Sequence, residues 1–191
     1  MNEIKLDLSS GVYDVFMAPK HILKKLLDDG YDVNRMTETY GDTLLSLFVL
    51  NRNIDKINIL LEYNPDISVR VRGDLYRTLF YGFDRWYWSP EAAEVLLRLL
   101  EMDTTGDVLL IKSSCGDNVI NHMQTLFFQR RSDYLLEESG MKPYDKRMAK
   151  DNIRFLDFFV KTCENHLRKT STLFNMMFKD VDLNNKKQRV Y

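Results

Sequence analysis

The chain has 191 residues, with 27 Lys and Arg against 28 Asp and Glu, a net charge of −1, and 45% apolar and 29% charged residues. That length suits one domain with a substantial core. The composition excludes a disordered chain, and the charge balance excludes nucleic-acid binding by bulk cationic attraction. Eight Gly and four Pro leave few turn residues for a many-stranded β fold, so the expected class is all-α.

Met1 to Ser10 alternates polar and apolar residues without the apolar core of a secretory signal. Residues 1–19 are expected to form an irregular N-terminal cap. The strongest apolar run, Leu44 to Leu50, is far shorter than the ~20 residues of a membrane span. Two cysteines, Cys115 and Cys163, with no CxxC read as reduced thiols, with a single disulfide left open. A cytoplasmic protein that does not engage membranes is expected.

A spaced self-similarity is the most informative feature. His21 to Asn34 and Lys56 to Ser68 align at one offset of 34. Leu26 and Leu27 fall on Leu60 and Leu61, Gly30 on Asn64, Asp32 on Asp66, and Asn34 on Ser68. Helical copies recur at Ala92 to Glu101 and Asn152 to Lys161. Gly-Asp precedes an apolar segment at 41–42, 73–74 and 116–117, and a fourth Gly-Asp at 106–107 lies off this rhythm. The unit is Gly-Asp, short helix, turn, amphipathic helix, Gly or Asn, loop. Its apolar residues recur at i, i+3 and i+4, and Gly30 and Asn64 are the left-handed stops. Leu26, Leu27, Leu60, Leu61, Leu96 and Leu100 are the expected core, buried between stacked units.

These residues carry a resemblance. Leu26-Leu27 with Gly30, Asp32, Val33 and Asn34, followed by Gly41-Asp-Thr43-Leu44-Leu45-Ser46, resembles the ankyrin repeat, with Leu44 and Ser46 in place of the family's Pro and His. The match is specific over residues 20–69 and weakens beyond 102. The resemblance implies a solenoid of about four degenerate helix-turn-helix repeats with insertions, over residues 1–180. The opening Ser9-Ser-Gly-Val-Tyr-Asp14 and the degeneracy of the repeats are similar to the orthopoxvirus branch of host-range and immune-evasion proteins. Larger members end in an F-box-like segment, and no such Leu-Pro-rich segment stands here.

The repeats break in two places. Tyr81-Gly-Phe-Asp-Arg-Trp-Tyr-Trp-Ser89 is an insertion holding both tryptophans, ahead of a Ser89-Pro90 helix start. It either plugs the stack or offers partner anchors. A split is expected, with Trp88 buried as the anchor and Trp86 exposed. Residues 129–150 read as a solvated, mobile insertion holding one short helix over Asp133 to Glu138. Leu167 to Phe178 reads as one more helix or half-repeat, and 181–191 as a polar, basic, disordered tail.

Catalytic chemistry is not expected. His21, His122 and His166 stand in no metal-ligand spacing, and no phosphate loop or nucleophile elbow is present. No cofactor, metal or catalytic residue is assigned. The resemblance implies protein binding through loop tips and inner helices. The candidate partner-binding residues are Arg35, Met36, Glu38, Arg70, Arg72, Trp86 and Tyr87. A monomer that binds and sequesters a host signalling protein, from the NF-κB or necroptosis pathways by resemblance, is one reading. A truncated fragment of a longer ankyrin adaptor for a ubiquitin ligase, with little activity of its own, is the other.

Overall fold

The computed structural model describes residues 6–71 and 77–170, and at 70, 71 and 77 the backbone alone. Eight α-helices carry the described chain: α1 (Val12–Met17), α2 (Lys20–Asp28), α3 (Leu44–Leu50), α4 (Ile54–Leu61), α5 (Pro90–Met102), α6 (Asp107–Leu110), α7 (Val119–Glu137) and α8 (Pro143–Thr170). A 3-10 helix, Leu79–Arg85, precedes α5. Two-residue strands β1 (Arg70–Val71) and β2 (Arg77–Thr78) pair antiparallel, Arg70 with Thr78 and Val71 with Arg77. The chain is mostly helical, as its composition predicts.

The helices contact one another in two rows. One row runs α1, α3, the 3-10 helix, α7, and the other runs α2, α4, α5, α8. Each row member touches its neighbour, and α3 with α4 and α7 with α8 also pack as pairs. The six expected core leucines are all buried, Leu60 and Leu96 fully.

Local chemistry explains each start and stop. Thr43 caps α3 by accepting the Ser46 N–H, while Ser46 Oγ accepts the Thr43 N–H, a reciprocal capping box. Asn53, Ser89 and Asn118 cap α4, α5 and α7 with the side-chain oxygen alone, accepting the N–H of Lys56, Ala92 and Asn121. Gly30 ends α2 at φ +97°. There the Tyr31 N–H bonds the Leu26 carbonyl and the Gly30 N–H bonds that of Leu27, a Schellman close. Asn64 takes φ +48° at the equivalent place, tolerable because a short amide side chain bears the left-handed region better than most.

The offset of 34 survives as geometry. Asp32 accepts the Asn34 N–H and Asp66 accepts the Ser68 N–H, so the two loops fold through the same turn. Asn34 Oδ1 then accepts the Asp66 N–H at 2.7 Å, tying one loop to the next. Met36 bridges Thr43 in the first loop where β1 pairs with β2 in the second. On the second row, Lys20–Asp55, Lys24–Glu62 and Arg98–Asn58 link successive helices. The two lysine pairs are exposed and set register more than they add stability.

Four expectations need correction. Residues 12–17, expected to be irregular, form α1, whose apolar Val12 and Val15 are buried. The third short helix starts later than the Gly-Asp rhythm implies and is a 3-10 turn over 79–85. It lies so close to α3 that a methyl at Gly82 would sit 3.1 Å from Val49 Cγ1 and 3.3 Å from the Leu50 nitrogen. Residues 129–150 are no loop: α7 continues to Glu137 and α8 begins at Pro143. The short polar repeat pattern hid two long helices that satisfy their own backbone wherever they lie. Asn152 to Lys161, expected as a separate helix, is the middle of α8. Of the expected last helix only residues 167–170 are described, and they continue α8; the remainder and the expected tail at 181–191 lie outside the described residues.

Candidate interaction site: a projecting helical arm and the cleft beneath it

Helix length creates the site. At about 1.5 Å per residue, α3 and α4 span roughly 10–12 Å, whereas α7 (19 residues) spans about 28 Å and α8 (28 residues) about 42 Å. The two stay antiparallel along this length: Gln124 bonds Glu164 near one end, and Glu138 meets Lys150 near the other. Their excess emerges at the edge that also holds the short turns 51–53 and 86–89. Residues 129–150 therefore form an arm beyond the two rows.

The aromatic segment before α5 fastens α8 at the base of the arm, in the reverse of the expected split. Trp86 is 1% exposed and Trp88 only half-buried. Trp86 Nε1 donates to the Val49 carbonyl at 2.9 Å, and its ring lies 4.6 Å from Phe83 and 6.0 Å from Phe155. The donor finds a carbonyl at the end of α3, which is what a buried indole needs. Asn152 Nδ2 donates to the Trp86 carbonyl at 2.6 Å, and the Trp88 N–H donates to the Asp151 carbonyl at 3.0 Å. Trp88 covers this seam from outside, edge-on to Phe158 and under the Arg154 guanidinium at 4.3 Å. The cap at Ser89 fixes the backbone of Trp88 but points its ring at α8, while Trp86 has the buried carbonyl to satisfy.

A cleft of about 220 Å³ opens between the arm and Tyr87, walled by Tyr134, Met148 and Ile153, with Arg130 at its rim and Asn152 in its lining. The Tyr134 hydroxyl donates to Glu138, and Lys150 lies against both. That hydroxyl, first, and then Lys150 hold the Glu138 carboxyl below its ordinary range. Desolvation, then the same hydrogen bond, pushes the Tyr134 phenol up. Asn152 is 2% exposed, and its Oδ1 has no donor.

One narrow stripe of α7 is uncharged, flanked by the exposed Arg131 and Asp133. Asn121, Thr125, Phe128, Ser132, Leu135 and Leu136 are all exposed along one face, with Phe128 at 65%, Leu135 at 66% and Leu136 at 79%. The exposed side of α8 instead carries Arg147, Lys150, Arg154, Lys161 and Arg168.

The sequence-derived candidates do not converge. Trp86 is core. Tyr87 lines the cleft and lies under Arg52 at 5.0 Å. Arg35, Met36 and Glu38 sit in the loop between α2 and α3, at the end of the helix pairs opposite the arm. There Met36 is 53% exposed and Glu38 is exposed. Arg35 is half-buried, donating to the Leu8 carbonyl at 2.9 Å beside the Tyr31 ring, so it also tacks the N-terminal strand of chain to the body. Tyr13 and Tyr40, exposed beside that loop, were not picked out from sequence. Tyr13 bonds Asp42 at 3.4 Å, and desolvation, then Asp42, raises its phenol. The Arg70 side chain and Arg72 lie outside the described residues. Phe128, Leu135 and Leu136 were equally missed, because an apolar residue reads as core until helix phase shows it facing water.

Among the described residues no group of His, Cys, Asp and Glu is placed to hold a metal ion, and no helix is long and apolar enough to cross a membrane. Cys163 is buried against α5–α6 and burial raises its thiol well above the usual range, whereas Cys115 is exposed. No protein-family model matches the chain, and no curated protein matches it.

Proposed function

We propose that the chain is a protein-binding module without chemistry of its own, built as an ankyrin-type stack, and that it acts in the cytoplasm as a viral host-range or immune-evasion factor by sequestering a host signalling protein. The stack reading is supported by the two helix rows, the repeated turns at Asp32 and Asp66, and the left-handed stops at Gly30 and Asn64. The binding reading rests on one observation above all: Phe128, Leu135 and Leu136 stand in water along an uncharged stripe of a projecting helix. Contiguous exposed apolar surface of this kind marks interaction sites. The NF-κB and necroptosis pathways supply the first partners to test, by the resemblance of the repeats to orthopoxvirus ankyrin proteins.

The test is calorimetric titration of the full chain against purified components of both pathways, with a Leu135→Lys, Leu136→Lys double variant in parallel. One component is expected to bind the native chain, with at least tenfold loss in the variant and no loss of folded structure, since both side chains are already solvated. Failure of every component to bind, or equal binding by the variant, would reject the assignment of partner and face respectively.

A further inference from the structure

The outward ridge of α8 is a row of cations. The buried residues of this helix, among them Asn152, Phe155, Phe159 and Cys163, share one side of it. On the opposite side Arg147, Arg154, Lys161 and Arg168 follow one another at intervals of seven residues, all of them exposed. Seven residues of α-helix span about 10.5 Å. Lys150 is exposed beside the row. Asp145 is the one exposed acid of the helix; Asp151, Asp157 and Glu164 are half-buried. Asp157 is paired with Lys161, and Glu164 accepts from Gln124. Over the whole of α8, seven Lys and Arg stand against four Asp and Glu, 7 − 4 = +3, in a chain of net charge −1. Positive potential follows the length of the ridge.

Two of the cations are already oriented. The Arg154 guanidinium lies over the Trp88 ring at 4.3 Å, and that of Arg147 over Tyr144 at 5.9 Å. Neither has a hydrogen bond or ion pair among the described residues. Each ring therefore steadies a guanidinium plane and leaves its N–H fork open, the form that grips a carboxylate with two parallel bonds. The same contacts occupy ring faces that a single-stranded nucleic acid would need for its bases. Tyr144 is the one large apolar side chain exposed on α8, too little to anchor the helix in lipid. A duplex carries its phosphates on backbones that wind away from such a row. A row at intervals of seven drifts by only about 20° per interval round a straight α-helix. That is the path of a second helix packed at a shallow left-handed crossing.

We propose that the outward ridge of α8 docks an acidic helix of a protein partner, with Asp or Glu at intervals of seven residues meeting Arg147, Arg154, Lys161 and Arg168 in turn. The forks of Arg147 and Arg154 take a carboxylate each, and Lys161 shares its ammonium between Asp157 and the partner. Charged contacts of this kind set partner choice and orientation more than raw affinity. The inference rests on the protein-binding reading above and names the chemistry of the partner's docking segment.

Synthetic helices test it without knowledge of the partner. A fluorescein-labelled Ala–Gln peptide of about 25 residues, long enough to be helical alone, carries four glutamates seven residues apart. A second carries them five residues apart, so that they wind round the helix, and a third carries lysines at the first set of positions. Circular dichroism checks that all three are helical, and anisotropy at low ionic strength follows their binding to the full chain. The first is expected to bind about tenfold tighter than the second, which meets only part of the row, and the third not to bind. Added salt is expected to weaken the first, and the Arg147 and Arg154 Nε–H signals are expected to shift with it in NMR spectra. Arg147→Glu with Lys161→Glu, at two exposed positions, is expected to keep the native circular dichroism spectrum and to weaken the first peptide about tenfold. No binding of the first peptide, or equal binding by the double variant, overturns the ridge. Equal binding of the two spacings overturns the helical partner. A DNA duplex, an oligothymidylate or phosphatidylserine vesicles that bind tighter than the first peptide, and lose that binding in the double variant, overturn the protein partner. Peptide binding without any signalling component would leave the ridge standing and remove the cellular reading. A signalling component bound equally by native chain and double variant would do the reverse, so the two fail separately.

Discussion

The two tryptophans should respond to truncation in the opposite order from the one their sequence positions suggest. Trp86→Ala removes a fully buried indole in contact with Phe83 and Phe155 and leaves the Val49 carbonyl without its donor. Large aromatic-to-Ala changes in a core cost about 3–5 kcal/mol, and a stranded buried carbonyl adds up to about 1–3 kcal/mol. Against a typical total of roughly 5–15 kcal/mol, that is about a quarter of the stability or more. Trp88→Ala removes a half-buried ring whose partners are Phe158 and the Arg154 guanidinium. An edge-to-face contact and an exposed cation–π contact are worth about 0.5–1.5 kcal/mol each, so about 1–3 kcal/mol is expected. Urea denaturation followed by far-UV circular dichroism measures both without relying on indole fluorescence. If Trp88→Ala costs as much as Trp86→Ala, the seam between the aromatic segment and α8 is held from outside, and the reading of Trp86 as its anchor is wrong.

Leu60→Ala, at a fully buried position between neighbouring helices of the second row, should lower unfolding free energy by about 2–5 kcal/mol; a loss below ~1 kcal/mol in the same assay would contradict the repeat register. Gly82→Ala should cost about 1–3 kcal/mol through crowding against Val49 and the Leu50 backbone, and a neutral result would mean the 3-10 helix can shift away from α3. Asp103 has a carboxyl raised by burial, an effect that His166 and backbone donors only partly offset. A carboxyl whose folded pKa is raised stabilises the fold fully below its unfolded value, near 3.8, and loses that contribution as pH climbs to the folded value. Asp103→Asn should therefore gain stability relative to the native chain on going from pH 4 to 7, read as the difference between two denaturation series; a pH-independent difference would show that this carboxyl does not titrate with folding.

What was legible in the sequence was whatever repeats through backbone need. Gly30 and Asn64 differ in side chain yet both end a helix at positive φ, and only residues that tolerate that region can recur there. Asp32 and Asp66 repeat because the same turn requires the same acceptor. The leucines at 26, 27, 60 and 61 repeat because one helix stripe must face its neighbour. The arm was illegible for the opposite reason. Past Phe128 the residues Gln129, Arg130, Arg131, Ser132 and Asp133 show no apolar period, so hydrophobic patterning reads them as loop, although Arg and Gln are good helix formers. Past Phe128, where α8 is the neighbour, the helix is held by its own backbone and by a single buried side chain, Tyr134.

The same economy bears on helix length. α3 and α4 bury or half-bury every apolar side chain they carry except Leu50. The pair α7 and α8 exceeds their length by several turns, and residues 129–150 project beyond the two rows. The pair is held in place by Trp86 sealed into the first row, Asn152 clamping the carbonyls of Asp84 and Trp86, and Arg154 over Trp88. A fastening that rigid carries three large apolar side chains into water on one face and frames a cleft with an unmet acceptor on the other. Core packing alone would be served equally well by a pair of ordinary length, so under the protein-binding proposal the positioned excess is where a partner's binding energy is to be sought.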